Sequence, residues 1–355
     1  MAGPLTKYAF INAKVRARIS KLLSEDTLRQ MATARSIDEA LVLLRNSPFG
    51  ILEEIYTKSG DLKLAELELL KSEIGVYGTI TRYVRDEILD FVRSLLLRFE
   101  TDNLKNALRI FFDGKIRKRH VEDAVHYILY DTIINTLNID AIINADNLGE
   151  IARSLAATPY GALIKKHEAA VEQDGSLFKL EVALDHFFYT NLVIQARGLR
   201  GTDRREALRL IGVEIDLQNI NWIIRFKNFY NLPLEEVLSL IIPSGFNLDS
   251  ASITKTYSSQ NVSAILNDVL KKKYPGLSTM LAAQTSDSTS RLLLIERILE
   301  QIMKHEIQRI LQGYPFTIGI ILCYFLLKKN EIARVKTVLN AKQYGFAEER
   351  IEGML

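Results

Sequence analysis

Cysteine is almost missing from this chain: Cys323 is the only one in 355 residues. That excludes intrachain disulfides and cysteine-rich zinc sites and fits a reducing compartment. Proline is also scarce, at seven, so helices can run long without interruption. Neither a Gly-x-x-x-x-Gly-Lys-Ser/Thr run nor a Gly-x-Gly-x-x-Gly run occurs, which removes the ordinary phosphate-cradling and dinucleotide-binding loops. Histidine numbers five. The densest titratable cluster is His120, Glu122, Asp123 and His126, and on a helix that spacing puts the two histidines on different faces. His167-Glu168 lacks the second histidine of a zinc protease, and Asp185-His186 adjoins Phe187-Phe188-Tyr189 with neighbours pointing apart. With no paired aspartates on helices and no activated nucleophile, the expectation is a protein that is not an enzyme and that needs no cofactor or metal.

An excess of charge of one sign is lacking too. The formal charge of +3 is small for this length and does not suggest a nucleic-acid binder. Basic runs exist at Lys115–His120, at Lys271-Lys272-Lys273 and from Arg197 to Arg209, without interleaved aromatics for stacking. They read as solvated faces. Met1 to Lys7 has no apolar stretch, so no signal peptide is expected. The charge-free run Ile310 to Leu327 is interrupted by Gln312-Gly313. Its continuous part, Tyr314 to Leu327, falls short of the roughly 20 residues of a membrane span and reads as a helix buried on all sides.

What is present is helical periodicity. Tyr8, Ile11, Val15, Ile19 and Leu22 fall at spacings of three and four, and Leu62–Ile74, Val84–Leu97, Leu177–Ile194 and Leu292–Leu311 read alike. The fold class is all-α. A motif occurs twice: Ser36-Ile37-Asp38-Glu39 through Ser47-Pro48-Phe49-Gly50 returns as Asn147-Leu148-Gly149-Glu150 through Thr158-Pro159-Tyr160-Gly161. Ser36 with Glu39, and Asn147 with Glu150, are cap-plus-N3 pairs. The spacing predicts a short helix running to Ser47 or Thr158 and ended by the proline, with the aromatic anchored in the core.

A second motif places an acid before an Asn. Glu100-Thr101-Asp102-Asn103-Leu104-Lys105-Asn106 resembles Glu214-Ile215-Asp216-Leu217-Gln218-Asn219-Ile220, with a looser version at Asn330–Lys336 and an Asn12-Ala13 step that matches Asn106-Ala107. Asn there can bond the backbone of a neighbouring segment. Together the motifs divide the chain into three units, 8–100, 101–214 and 215–355. The third is worn: Asn261-Val262-Ser263-Ala264 has no Glu at N3, and Tyr274-Pro275-Gly276 inverts aromatic and proline. Asp249–Asn261 and Ala282–Ser290 read as polar loops.

Several of these segments resemble one family in order along the chain. Asn12-Ala13-Lys14-Val15-Arg16-Ala17-Arg18 is similar to its N-A-x-V-R-x-R opening. Asp185-His186-Phe187-Phe188-Tyr189-Thr190-Asn191-Leu192 resembles its D-x-x-Y-Y-x-x-L helix. Asp216 through Ile224-Arg225-Phe226-Lys227 resembles its D-x-x-N-I-x-x-I-x-R-x-K segment, Pro243-Ser244-Gly245 its P-x-G turn, and Lys329-Asn330-Glu331-Ile332 with Val335-Lys336 its last motif. The family is the C subunit of the archaeal and bacterial V/A-type rotary ATPase, counterpart of the eukaryotic d subunit. The sequence departs from it at Arg334, where the last motif carries Asn, and in two longer Ser/Thr-rich stretches.

The resemblance implies a funnel-like body with pseudo-threefold symmetry. It would sit between the central stalk (D- and F-type subunits) and the membrane rotor ring (proteolipid c/K subunits), on the cytoplasmic face, and transmit torque without catalysing anything. It implies no membrane insertion and leaves open whether the ion is proton or sodium. Asn12, Arg16, Arg18, Asn106, Asn219 and Arg225 are the candidate partner-binding residues; each arginine taken singly reads more readily as an intramolecular ion pair or carbonyl cap than as a partner contact. The alternative is a helical-repeat scaffold for peptides, but a unit near 110 residues exceeds solenoid repeats of about 20–50.

Overall fold

The computed structural model describes residues 3–226, 232–246, 248, 251, 253–254, 257 and 288–354. Regular structure among them is all helical. The helices are α1 (Pro4–Ile19), α2 (Glu25–Thr33), α3 (Ile37–Val42), α4 (Gly50–Ser59), α5 (Leu62–Thr81), α6 (Asp86–Phe111), α7 (Ile139–Ile143), α8 (Leu148–Ser154), α9 (Pro159–Asp174), α10 (Phe178–Gly198), α11 (Gly201–Arg225), α12 (Leu234–Leu240), α13 (Ser288–Gln312), α14 (Gly319–Gln343) and α15 (Glu348–Gly353). A π turn, Phe112–Ile116, extends α6, and a 3-10 turn covers Glu122–Tyr127. Asn261–Ala264, Tyr274–Gly276, Lys271–Lys273 and Lys227 lie outside the described residues. Of Asp249–Asn261 only 251, 253, 254 and 257 are described, and the polar stretch ending at Ser290 is helical from Ser288.

The twice-used corner is built as its caps require, with two differences. Ser36 Oγ accepts the Glu39 N–H at 3.1 Å and Asn147 Oδ1 accepts the Glu150 N–H at 2.9 Å. The glutamates reach back one residue further than the cap, to the N–H of Arg35 (2.8 Å) and of Asp146 (2.9 Å), so each carboxylate ties down the approach to the helix as well as its first turn. The short helices also end early, at Val42 and Ser154, and turns follow. In the second corner the proline opens the next helix instead of closing the previous one: Thr158 caps α9 with Pro159 in its first turn, where a missing N–H costs nothing; in the first corner Pro48 lies in the turn before α4. The recurring glycine has a steric reason. A Cβ on Gly50 would stand 2.5 Å from the Arg45 carbonyl oxygen, and one on Gly161 2.7 Å from that of Leu155. Phe49 and Tyr160 are fully buried, as expected.

The apolar run behaves as its composition demands from Thr317 onward: every residue to Leu326 is buried. The helix begins only at Gly319, so Tyr314–Ile318 is a connection. No helix among the described residues is long and apolar enough to cross a membrane.

The chain forms two compact units. One comprises Met1–Phe188 with Tyr324–Leu355, the other Tyr189–Cys323, so both boundaries fall inside helices, α10 and α14. In the first unit, one apolar core joins α6 to α7, α8, α9 and the start of α10 through Leu104, Leu108, Ile151, Leu155, Tyr160 and Leu180. A second core joins α2–α5 to the far end of the chain, with Leu41, Leu44 and Phe49 against Val335, Val338 and Leu339. The first corner therefore packs on α14, whereas the second packs on α6. In the second unit, Arg209 of α11 holds the buried Glu306 of α13 through two bonds of 2.9 Å, and Asp203 accepts the Ile318 N–H at 2.9 Å.

One polar device recurs in these cores: a buried acid on a long helix accepts backbone N–H groups from a distant segment. Glu100 on α6 accepts from the N–H of Ile134 (2.8 Å) and Asn135 (2.6 Å), the Asn135 side chain (2.7 Å) and the Tyr160 hydroxyl (2.8 Å). Those donors match the about four lone-pair sites of a carboxylate. Asp216 on α11 accepts the Leu248 N–H at 3.2 Å. Glu331 on α14 accepts the Leu23 N–H at 2.5 Å and the Lys328 ammonium at 2.9 Å. Three residues after the first two acids an Asn makes a paired amide contact. Asn103 bonds Leu129 N–H (3.0 Å) and C=O (2.7 Å), and Asn219 bonds Ile242 N–H (2.9 Å) and C=O (2.8 Å).

The geometry corrects the register of the second motif. Glu100 corresponds to Asp216, not Glu214, and Asn103, not Asn106, corresponds to Asn219. At the third position Arg334 replaces the Asn and grips Glu25 at the start of α2, at 2.9 and 2.6 Å. Removing Asn103 or Asn219 orphans a buried N–H and C=O, at about 1–3 kcal/mol per group. Urea unfolding should thus show Asn103→Ala and Asn219→Ala each destabilised on that scale, and the exposed Asn106→Ala within about 0.5 kcal/mol of wild type.

Candidate functional site

A cleft of about 420 Å³ opens in the first unit between α5, α6 and α14. Its floor is apolar and aromatic. The Tyr77 ring lies 5.7 Å from Phe99 and 5.7 Å from Phe325, centroid to centroid, with Phe99 and Phe325 6.2 Å apart. Its rim is charged: Lys63, Glu66, Arg98, Asp102, Asn106, Lys329 and Lys336. Rim charges are paired, Lys336 with Glu66 at 2.8 Å and Arg98 with Asp102 at 2.9 Å. Such pairs hold the rim side chains in place. None of the lining side chains is His, Cys, Ser or Thr; the lining is apolar, aromatic and charged. Among the described residues no group of three or more His, Cys, Asp or Glu is placed to hold a metal ion.

Glu73 sits at the inner wall of the cleft, 5% exposed. It falls on the stripe Leu62, Ala65, Leu69, Glu73, Tyr77, Ile80 that α5 buries. The Tyr324 hydroxyl donates to it at 3.2 Å. Burial holds the Glu73 carboxyl above the ordinary carboxylate range, against the pull of Lys328 and Arg18. Burial, then Glu73 itself, also pushes the Tyr324 hydroxyl above the usual tyrosine value, so it remains a donor. Behind them the Lys328 ammonium lies 3.8 Å from the Phe49 ring centroid and bonds Glu331. In the second corner the Tyr160 hydroxyl reaches Glu100 directly; Phe49 has no hydroxyl, and Lys328 takes that place.

The structure sorts the six sequence candidates. Asn106 is exposed on the cleft rim and 3.4 Å from Arg109 Nη1. Arg18, at the end of α1, faces Glu73 and Tyr324 behind the cleft wall. Asn12 and Arg16 pair with each other on α1 at 3.2 Å. Asn219 is 1% exposed and holds Ile242, so it is a fold residue. Arg225 is exposed at the end of α11 in the second unit and bonds Asn221 Oδ1 at 3.0 Å. Sequence reasoning missed Glu73, Lys63 and Lys336. Glu73 carries a signal, an acid on an otherwise apolar helical stripe, and Lys336 closes the last motif; Lys63 carries none.

Because the folded state holds the Glu73 proton more tightly than the unfolded chain, ionisation above the usual carboxylate value costs stability, and that cost grows as pH rises. Glu73→Gln keeps an acceptor for Tyr324 and removes the ionisation. In thermal melts from pH 4 to pH 8 the variant should gain stability over wild type as pH increases; the opposite trend would show that Lys328 and Arg18 outweigh burial.

Comparison with known proteins assigns the whole chain. The family model "ATP synthase (C/AC39) subunit" matches residues 11–354. The chain is similar to the C subunit of the A-type ATP synthase from Methanothermobacter thermautotrophicus, 25% identical over 99% of this chain and 88% of the relative. It is 22% identical to that of Methanosphaera stadtmanae, over 95% of this chain and 84% of the relative, and 24% identical to that of Methanosarcina barkeri, over 99% and 93%. A match that begins in α1 and runs through α15 takes in both corners, Glu100, Asp216 and Glu331, and the cleft, and the chain belongs to the ATP synthase (C/AC39) subunit family.

Proposed function

We propose that this chain is the rotor socket of a V/A-type ATPase: it joins the D- and F-type central stalk subunits to the proteolipid ring and carries torque between them during ATP-coupled proton or sodium movement. Family membership supplies the coarser statement, a non-catalytic coupling subunit of such a complex. The observation that carries the finer one is the closure of the first unit. Glu331 and Arg334 near the C-terminus hold Leu23 and Glu25 near the N-terminus, and the Lys342 ammonium caps the Ala32 carbonyl at 2.8 Å. A part that passes torque must not fray, and tying the two terminal segments together with charge-assisted bonds serves that need.

The three acid-bearing helices support a reading of the chain as three related repeats, 8–100, 101–214 and 215–355, arranged in a funnel around a pseudo-threefold axis. The Ser36–Gly50 corner, packed on α14, would close that ring. The cytoplasmic face of the membrane complex is the natural location. In this reading the stalk seats on the cleft between α5, α6 and α14, with Asn106 in contact and Arg18 bracing the wall. Asn12, Arg16 and Arg225 would serve other contacts, and Asn219 would act only through the fold.

Affinity purification of the tagged chain from detergent-solubilised membranes tests both levels. Stalk and ring subunits should co-purify; recovery of neither would sink the socket. Asn106→Trp places a large ring at the exposed rim without disturbing the core. It should lower stalk recovery about tenfold or more, equivalent to about 1.4 kcal/mol, while ring recovery holds. Unchanged stalk recovery would move the seat elsewhere.

A further inference from the structure

The outer face of α1 serves neither the core nor the cleft. Tyr8, Ile11 and Val15 point inward and are buried. On the outward side Phe10 is 59% exposed, and Tyr83, at the α5–α6 turn, is 45% exposed. Phe10 and Tyr83 pack together with ring centroids 4.6 Å apart, so they form one patch rather than two scattered side chains. The Lys14 ammonium stands over both rings, 4.5 Å from Tyr83 and 5.7 Å from Phe10. Of the α1 cations, Lys7 and Lys14 lie on this side, whereas Arg16 pairs with Asn12 and Arg18 turns toward Glu73. The adjoining turn adds the exposed Arg82 and Arg85. The acids that follow it in the first turns of α6 are Asp86, Glu87 and Asp90, and Glu87 faces Lys7 at 3.6 Å.

We infer that this patch docks on an anionic bilayer surface. An exposed Phe and Tyr pair bordered by lysine and arginine side chains is suited to the headgroup boundary. There aromatic rings sit at the depth where apolar meets polar, and ammonium groups meet lipid phosphates. A second copy of the chain is a poor occupant, because a twofold contact would set these cations against themselves. The inference rests on the placement at a membrane complex but can fail separately: a chain that co-purifies with stalk and ring can still show no affinity for lipid.

The test is sedimentation of the full chain with vesicles. Equimolar phosphatidylglycerol and phosphatidylcholine vesicles should carry it down, and pure phosphatidylcholine vesicles should carry down about tenfold less, with high salt releasing the bound chain. Phe10→Ser with Tyr83→Ser, and separately Lys14→Glu, should each cut binding to the anionic vesicles about tenfold with unchanged circular dichroism. Tyr344→Ser, at a side chain 71% exposed elsewhere on the chain, should change nothing. Wild-type chain left in the supernatant with anionic vesicles would overturn the inference. So would undiminished vesicle binding by the Phe10 and Tyr83 variants, and if those variants also lost the ring during purification, the patch would be assigned to a protein contact instead.

Discussion

A carboxylate buried in a helical core costs several kcal/mol unless donors replace the water it loses. Glu100, Asp216 and Glu331 are all buried, and each finds its donors in the backbone of a segment far along the chain. Each acid therefore fixes where that segment must lie, since moving it away would strand the charge. Other features follow from the same need. Tyr160 and Lys328 supply further donors. Gly245 is required because a Cβ there would stand 2.1 Å from Asp216 Oδ1, which gives the Pro243-Ser244-Gly245 turn its reason. The apolar cores provide most of the burial, but hydrophobic contact is non-directional; the buried acids make the arrangement specific.

The same device connects stability to function. A coupling subunit gains nothing from a reactive group and much from ordered ends. The chain's last long helix, α14, bears Glu331 and Arg334 for the N-terminal segment, one wall of the cleft, and Lys328, which bridges the Phe49 ring and Glu331. A load applied at the cleft would thus pass into bonds that hold both termini. The paired charges on the cleft rim suit this role, because ion pairs already formed lose little side-chain freedom when a partner arrives.

Much of the fold could be read from the sequence, and the exceptions have physical reasons. Helices announced themselves by period, and Ser36 and Asn147 by their cap chemistry. The proline was misplaced because the same residue ends one helix or begins another, and only the preceding turn decides which. The acid–Asn motif was placed out of register: Glu214, Asp216 and Asn221 offer competing matches, and only the contacts of Asn103 with Leu129 and of Asn219 with Ile242 settle the alignment. The packing of Ser36–Gly50 on α14 was not legible, since no local rule links Phe49 to Lys328. Of the six sequence candidates, Asn106 lies on the cleft rim and Arg18 behind its wall. Asn219 was a satisfied fold residue, as an Asn at a recurring corner often is, and Glu73 went unnoticed on an apolar stripe.

Coupling itself is open to direct measurement. The complex can be reconstituted into vesicles with and without this chain, following ATP hydrolysis and ion uptake together. With the chain present, hydrolysis should drive uptake. Without it, the soluble portion should continue to hydrolyse ATP while uptake disappears, and adding the purified chain back should restore it. Undiminished ATP-driven uptake in vesicles that lack the chain would contradict the proposed link between stalk and ring.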